Sequence, residues 1–231
     1  MRAARLKRRR KEPPPRSHIT LIRHGQANTE ARDEASYDRL SPLGRRQSEW
    51  LGAHLRDSGS HHTRVYSGTL IRHAETVQGM GLNSVIRDPR LNELEYFTMA
   101  RLLEQQKGIP VPLAREGFIQ HLPVVFAAWQ NDEIEDPPES FANFETRVNA
   151  ALTEIAAGDG PALVVTSGGL IAMAMRQVLE LEIPAMARMA LAIMNTSMHR
   201  LYPIGDRLSP VLFNAVPHLE APERHFAQTH L

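Results

Sequence analysis

A histidine beside an arginine, at the end of an apolar run, is the first place in this chain where chemistry could be done. Ile19-Thr20-Leu21-Ile22 is apolar and rich in β-branched residues, and Arg23-His24-Gly25-Gln26 follows at once. This pattern predicts a short buried strand whose carboxyl end delivers a cation and an imidazole into a loop, where open α/β sheets place ligands. Arg-His-Gly alone fits an ordinary partly buried histidine equally well. Three further groups bear on the choice. Arg72 falls in the first turn of a predicted helix, where free N–H groups and the helix dipole favour an anion. Glu93 stands between Asn92 and Leu94, and apolar neighbours suit a carboxyl that keeps a proton to donate. Thr166-Ser167-Gly168-Gly169 joins a predicted strand to a helix, and its two glycines let backbone N–H groups approach an anion closely. Each has a plainer reading: a solvated arginine, a rim glutamate, a simple strand-to-helix turn.

The elements that must carry these residues follow from patterning. Ser41 as N-cap and Pro42 at the first helical position start a helix over 42–56, with Leu43, Gln47, Trp50, Leu51, His54 and Leu55 on one face. Residues 27–40 are polar and without period, a loop beside His24 with room for a turn of helix. A strand over 63–66 leads through Ser67-Gly68-Thr69, expected to cap a helix over 70–80 that carries Arg72 and His73. A third strand over 85–88 is broken by Pro89. Residues 99–131 have a helical pattern interrupted by Gly108, Pro110, Pro112 and Pro123, and belong to an expected helical cap over about 96–138 that selects the substrate. An amphipathic helix over 140–157 presents Phe141, Phe144, Val148, Ala151, Leu152 and Ile155 on one face. Residues 162–165 read as a central parallel strand, apolar on both faces. Helices over 170–181 and 184–194 follow, then a hairpin of 198–202 and 209–213 about Gly205-Asp206. Alternating strands and helices imply an α/β fold, a mainly parallel sheet flanked by helices.

Composition narrows the function classes. A chain of 231 residues, 42% apolar, suits one domain with an inserted cap, here 17–231. The absence of cysteine excludes disulfides, thiolate metal sites and Cys nucleophiles. No apolar run approaches the roughly 18 residues of a membrane span, and no apolar stretch follows the first basic cluster as a secretory signal would require. A soluble, cytoplasmic protein is expected. Residues 1–16 hold eight Arg or Lys against Glu12, a charge of +7 in a chain whose total is +1, so the remainder carries −6. This run, followed by Pro13-Pro14-Pro15, reads as a disordered basic arm. It is either a weak tether for nucleic acid or another anionic surface, or a dispensable extension; no other nucleic-acid contact is expected. His218, His225 and His230 have no metal-ligand spacing, and neither metal nor cofactor is expected. Oligomeric state is left open.

Taken together, four stretches resemble the histidine phosphatase superfamily, the phosphoglycerate mutase-like fold. They are Leu21-Ile22-Arg23-His24-Gly25, Tyr66-Ser67-Gly68-Thr69-Leu70-Ile71-Arg72-His73-Ala74-Glu75-Thr76, Leu91-Asn92-Glu93 and Val164-Val165-Thr166-Ser167-Gly168-Gly169, in the family's order. The resemblance implies a metal-independent phosphatase acting on a small phosphomonoester through a phosphohistidine, with a mutase the lesser reading. It makes His24 the nucleophile, Gly25 the residue that lets a backbone carbonyl orient the other ring nitrogen, and Arg23 and Arg72 the phosphate-gripping arginines. Glu93 becomes the acid and then the base, and Ser167 and Gly168 phosphate-binding positions. The chain also departs from the family. Ser167 stands where a second histidine is usual, and a hydroxyl cannot supply imidazolium charge. That favours an alternative, a weakened member that binds a phosphorylated ligand or a protein without efficient turnover. His218 is a candidate to fill the gap, and Gln26 or Asn28 to contribute an amide after the nucleophile. Leu94-Glu95-Tyr96-Phe97 replaces the usual glycine-rich continuation and makes the substrate-side wall atypical.

Overall fold

The computed structural model describes residues 17–230, and the basic arm expected over 1–16 lies outside the described residues. Six strands, β1 (Ile19–Arg23), β2 (Arg64–Ser67), β3 (Val85–Arg87), β4 (Ala162–Thr166), β5 (Met198–Ile204) and β6 (Arg207–Ala215), form one sheet in the order β3-β2-β4-β1-β5-β6. The first four in that order run parallel, and β5 and β6 complete the sheet antiparallel as a hairpin. β1 and β4 are buried along their whole length, as strands apolar on both faces must be.

Alternation along these strands divides the core in two. Ile22, Leu163 and Val165 pack against Leu51, Leu55, Val77 and Met80, which belong to or end the helices α2 (Pro42–Asp57) and α3 (Ile71–Gly79). Leu21 and Val164 face the larger core beneath α4 (Tyr96–Lys107), α5 (Arg115–Gln130), α6 (Phe141–Ala157), α7 (Gly168–Leu179) and α8 (Ile183–Ala192). A four-residue helix, α1 (Glu34–Tyr37), sits in the loop after β1. The register pairs Arg23 with Thr166 and Ser67 with Val165. The residues that follow β1, β2 and β4 therefore leave the sheet side by side at one edge.

Two local expectations are corrected. Pro123 lies inside α5 without breaking it. The residue one turn earlier, Ile119, is exposed, so the carbonyl Pro123 leaves unpaired can face water, while Val125, Phe126 and Trp129 anchor the following turns in the core. The segment expected as a cap forms α4 and α5, whose Met99, Leu103 and Trp129 continue the main core. The second correction is at α3, where Ser67-Gly68-Thr69 makes no side-chain cap; that cap comes from elsewhere in the chain.

Candidate active site

His24 emerges from β1 with its ring 2% exposed. Its backbone N–H donates to Thr166 O at 2.9 Å, which ties it to the adjacent strand. Nδ1 lies 2.7 Å from Gly25 O; a carbonyl can only accept, so Nδ1 carries the proton and Nε2 keeps a lone pair. Gly25 is required for a reason the sequence does not show, since a Cβ there would meet Gly44 O at 2.4 Å. Burial, then the charges of Arg72 and Arg23 and the neighbouring His73, hold the His24 ring well below the usual imidazole range. It is a neutral imidazole in cationic surroundings.

Both arginines are buried. Arg23 donates through Nη1 to Ile193 O, and its Nε comes close to the backbone at Gly168. Arg72 lies over the Tyr37 ring at 5.0 Å, and Tyr37 in turn meets the His24 ring edge-on at 6.3 Å. The Nε atoms of both arginines are buried without a hydrogen-bond partner. Unpaired guanidinium N–H groups in a dry site are costly unless an acceptor arrives, and an oxyanion is the acceptor that fits them.

The loop between β1 and α2 positions these groups with two carboxylates. Asp38 accepts from the Ile71 and Arg72 N–H groups at 3.0 and 3.1 Å and from Arg72 Nη1 at 3.1 Å. One side chain thus caps α3 and orients its arginine. Glu34 accepts from Phe97 N–H at 2.8 Å, at the start of α4, and its burial pushes its carboxyl up.

Glu93 is held by backbone rather than by apolar walls: Oε2 accepts from Gly169 N–H at 2.9 Å and Oε1 from Leu94 N–H at 3.1 Å. It faces a cavity of about 600 Å³ that Arg72, Glu34, Glu95, Arg147 and Trp129 also line. Arg147 is committed to Glu139 and to the carbonyls of Arg90 and Asn92.

The other sequence candidates are placed differently. Gln26 Oε1 accepts from Ser41 Oγ, and Asn28 is used at both ends of its amide, by Ser36 O and Glu30 N–H; both hold the loop. His218 pairs with Thr196 Oγ1 at 2.8 Å and lies 6.4 Å from the His54 ring. The neighbour of Ser167 is instead His73, whose Nε2 is 2.7 Å from Ser167 Oγ. The His73 ring centre stands 5.8 Å from that of His24. His73 falls in the first turn of α3, and its adjacency to Arg72 is the signal for it that the sequence carries. Tyr37 and Asp38 sit in an aperiodic loop and carry no such signal. Among the described residues no group of three or more metal-ligating side chains comes together, and no helix is long and apolar enough to cross a membrane.

A family model for the histidine phosphatase superfamily (branch 1) matches residues 19–216. No curated protein matches the chain. Among solved structures, a phosphoserine phosphatase mutant from Entamoeba histolytica in complex with phosphoserine superposes with a TM-score of 0.66 at 16% identity, covering 88% of this chain and 99% of that one. A mycobacterial glucosyl-3-phosphoglycerate phosphatase complexed with VO3 gives 0.61 at 26% identity, over 86% and 99%. A phosphoglycerate mutase from Bacillus anthracis gives 0.64 at 19% identity, over 89% and 96%.

Proposed function

The chain belongs to the histidine phosphatase superfamily, branch 1, and on that footing we propose that it hydrolyses a small phosphomonoester by way of a phosphohistidine at His24. The observation that carries this reading is a neutral imidazole with Nδ1 pinned to Gly25 O, beside two arginines whose buried Nε–H groups have no acceptor. In the first step His24 Nε2 bonds to phosphorus as the ester P–O bond breaks, and Glu93 gives its proton to the leaving oxygen. In the second, a water oxygen attacks phosphorus, the N–P bond breaks, and the Glu93 carboxylate takes the water's proton. Arg23 and Arg72 hold the non-bridging oxygens through both steps. The phosphatases among the similar structures support hydrolysis, and the cavity beyond Arg72 suits a small leaving group.

A second reading, a protein that binds a phosphorylated ligand without efficient turnover, draws on Ser167, a neutral hydroxyl where the family usually has a histidine. Both are tested with para-nitrophenyl phosphate and a panel of phosphomonoesters between pH 4 and 8 in chelator. Turnover that disappears in His24→Ala is the expected result. A wild-type protein that turns over nothing, yet binds vanadate, establishes the binder instead.

A further inference from the structure

His73 is an expensive residue to keep where it is. Its side chain is fully buried, burial and the Arg72 charge hold its ring well below the usual imidazole range, and Nδ1 has no hydrogen-bond partner. The chain makes room for it: a Cβ at Gly68 would lie 2.2 Å from Nδ1. Among the described residues its one hydrogen-bond partner is Ser167 Oγ, at 2.7 Å. Ser167 is the N-cap residue of α7, a place where serine ordinarily accepts a helix N–H, yet it makes no such bond. Its oxygen is given to His73 instead.

The tautomer follows from the orphaned atom. If Nδ1 carried the proton, a buried N–H would go unsatisfied; if Nε2 carries it, only a lone pair does, and buried orphan donors are the rarer and costlier case. Nε2–H therefore donates to Ser167 Oγ, which leaves the Ser167 O–H as a donor with no other partner among the described residues. Ser167 sits between His73 and Gly168, where the Arg23 guanidinium packs, and the His73 ring is 5.8 Å from that of His24.

We infer that Ser167 donates its hydroxyl to a phosphoryl oxygen at His24 and that His73, from α3, polarises and aims that hydroxyl. The pair replaces a single imidazole on the β4–α7 turn. Ser167 is then the contacting group and His73 a positioning residue. This rests on the phosphatase reading of His24, and it places the missing imidazole, behind the donor, on a different element of the fold.

The test uses the full chain with Ser167→Ala, His73→Leu, His73→Gln, the double Ser167→Ala/His73→Leu and the exchange His73→Ala/Ser167→His. The readouts are kcat, KM, inhibition by vanadate, and the side-chain 15N spectrum of His73. Ser167→Ala and His73→Leu should each lower kcat and vanadate affinity by about 10²-fold, in line with loss of one oxyanion donor, with little change in KM. The double variant should be no worse than either single, since both remove one relay. His73→Gln, which keeps a donor near the Nε2 position, should retain part of the activity, and the exchange variant should recover most of it. Additive losses, or unchanged vanadate inhibition in Ser167→Ala while His24→Ala is dead, overturn the relay and leave the phosphatase reading intact. An inactive wild type defeats the phosphatase reading. The tautomer is tested even then: an Nδ1–H form of His73 in the spectrum of the free protein overturns the relay in its own right, and so does a failure of Ser167→Ala to shift the Nε2 resonance.

Discussion

Gly169→Ala should displace Glu93, the proposed general acid, while sparing the fold. An added Cβ would lie 2.5 Å from Glu93 Oε1 and 2.8 Å from Leu94 Cδ2, against the 3.4 Å or more of ordinary contact, so the carboxylate must retreat by roughly 1 Å. Displacements of that size in a reacting group can cost about 10²-fold, and a positioned acid contributes about 10² to 10⁴ in all. The effect on stability is small because two terms oppose. Alanine in a helix is worth about 0.5 to 1 kcal/mol over glycine, whereas losing the Gly169 N–H bond to the carboxylate costs about 1.5 to 3 kcal/mol. The difference, about 0.5 to 2.5 kcal/mol, lowers Tm by about 1 to 10 °C in a chain of this size and leaves it folded at assay temperature. The assay compares kcat on para-nitrophenyl phosphate with kcat on an alkyl phosphomonoester such as glycerol 2-phosphate. The alkoxide is the poorer leaving group and needs protonation more, so its loss should be the larger. If Gly169→Ala keeps wild-type rates on both esters while Glu93→Gln is inactive, then contact with Gly169 does not set the position of Glu93.

Three other perturbations follow from the same geometry. Asp38→Ala removes the only side-chain cap on α3 and the carboxylate that orients Arg72; loss of a cap costs about 1 kcal/mol, so Tm should fall by a few degrees and KM should rise, and an unchanged KM would show that Arg72 holds its place without Asp38. Glu34 and Glu95 line the cavity beyond the proposed phosphoryl site, so esters with a cationic leaving group should be preferred to those carrying a carboxylate by up to about fivefold, the scale of a solvent-exposed ion pair, and Glu34→Gln/Glu95→Gln should narrow the ratio measured as kcat/KM. His199 and His218 are pushed down to about 3 by burial, so the unfolded chain takes up protons below pH 6.5 that the folded one refuses; stability is fully present above 6.5 and should fall by about 2 kcal/mol per histidine by pH 5. A urea midpoint that does not move between pH 7.5 and 5 would contradict this.

Much of the fold was legible because its elements bury what their own patterns present. The face of Phe141, Phe144, Val148, Ala151, Leu152 and Ile155 is the buried face of α6, Ser41 caps α2 as read, and the doubly apolar run at 162–165 is the strand between β1 and β2. Local rules failed where a distant group decides. Proline rules predict a break at Pro123, and core packing of the following turns overrides them. The cap on α3 is a carboxylate 33 residues earlier in the chain, and no spacing rule links the two. In the candidate site, the family-ordered motifs point to His24, Arg23, Arg72 and Glu93: Arg23 ends β1 and His24 follows it, Arg72 is in the first turn of α3, and Glu93 lies between β3 and α4. Gln26 and Asn28, candidates from the family's pattern after the nucleophile, and His218, a candidate from its side chain, have partners in Ser41, Ser36, Glu30 and Thr196 that the sequence does not place in space.

The orphaned atoms show what this fold gives up to keep such a site. Among the buried polar atoms without partners, Arg23 Nε, Arg72 Nε and Ser67 Oγ are donors that gather at the carboxyl ends of β1 and β2 and the first turn of α3. A core built for stability alone would satisfy them or replace them with apolar groups, since each buried unsatisfied donor costs about 1 to 3 kcal/mol. The same donors, already dry and fixed, need no reorganisation when a charged oxygen comes within reach, which is where electrostatic catalysis gains most. Beside them His24 must stay neutral to be nucleophilic, and burial first, then the charges of Arg72 and Arg23, keep a proton off its ring. On the proposed mechanism, binding and activation draw on one arrangement, two guanidinium groups placed against a buried imidazole.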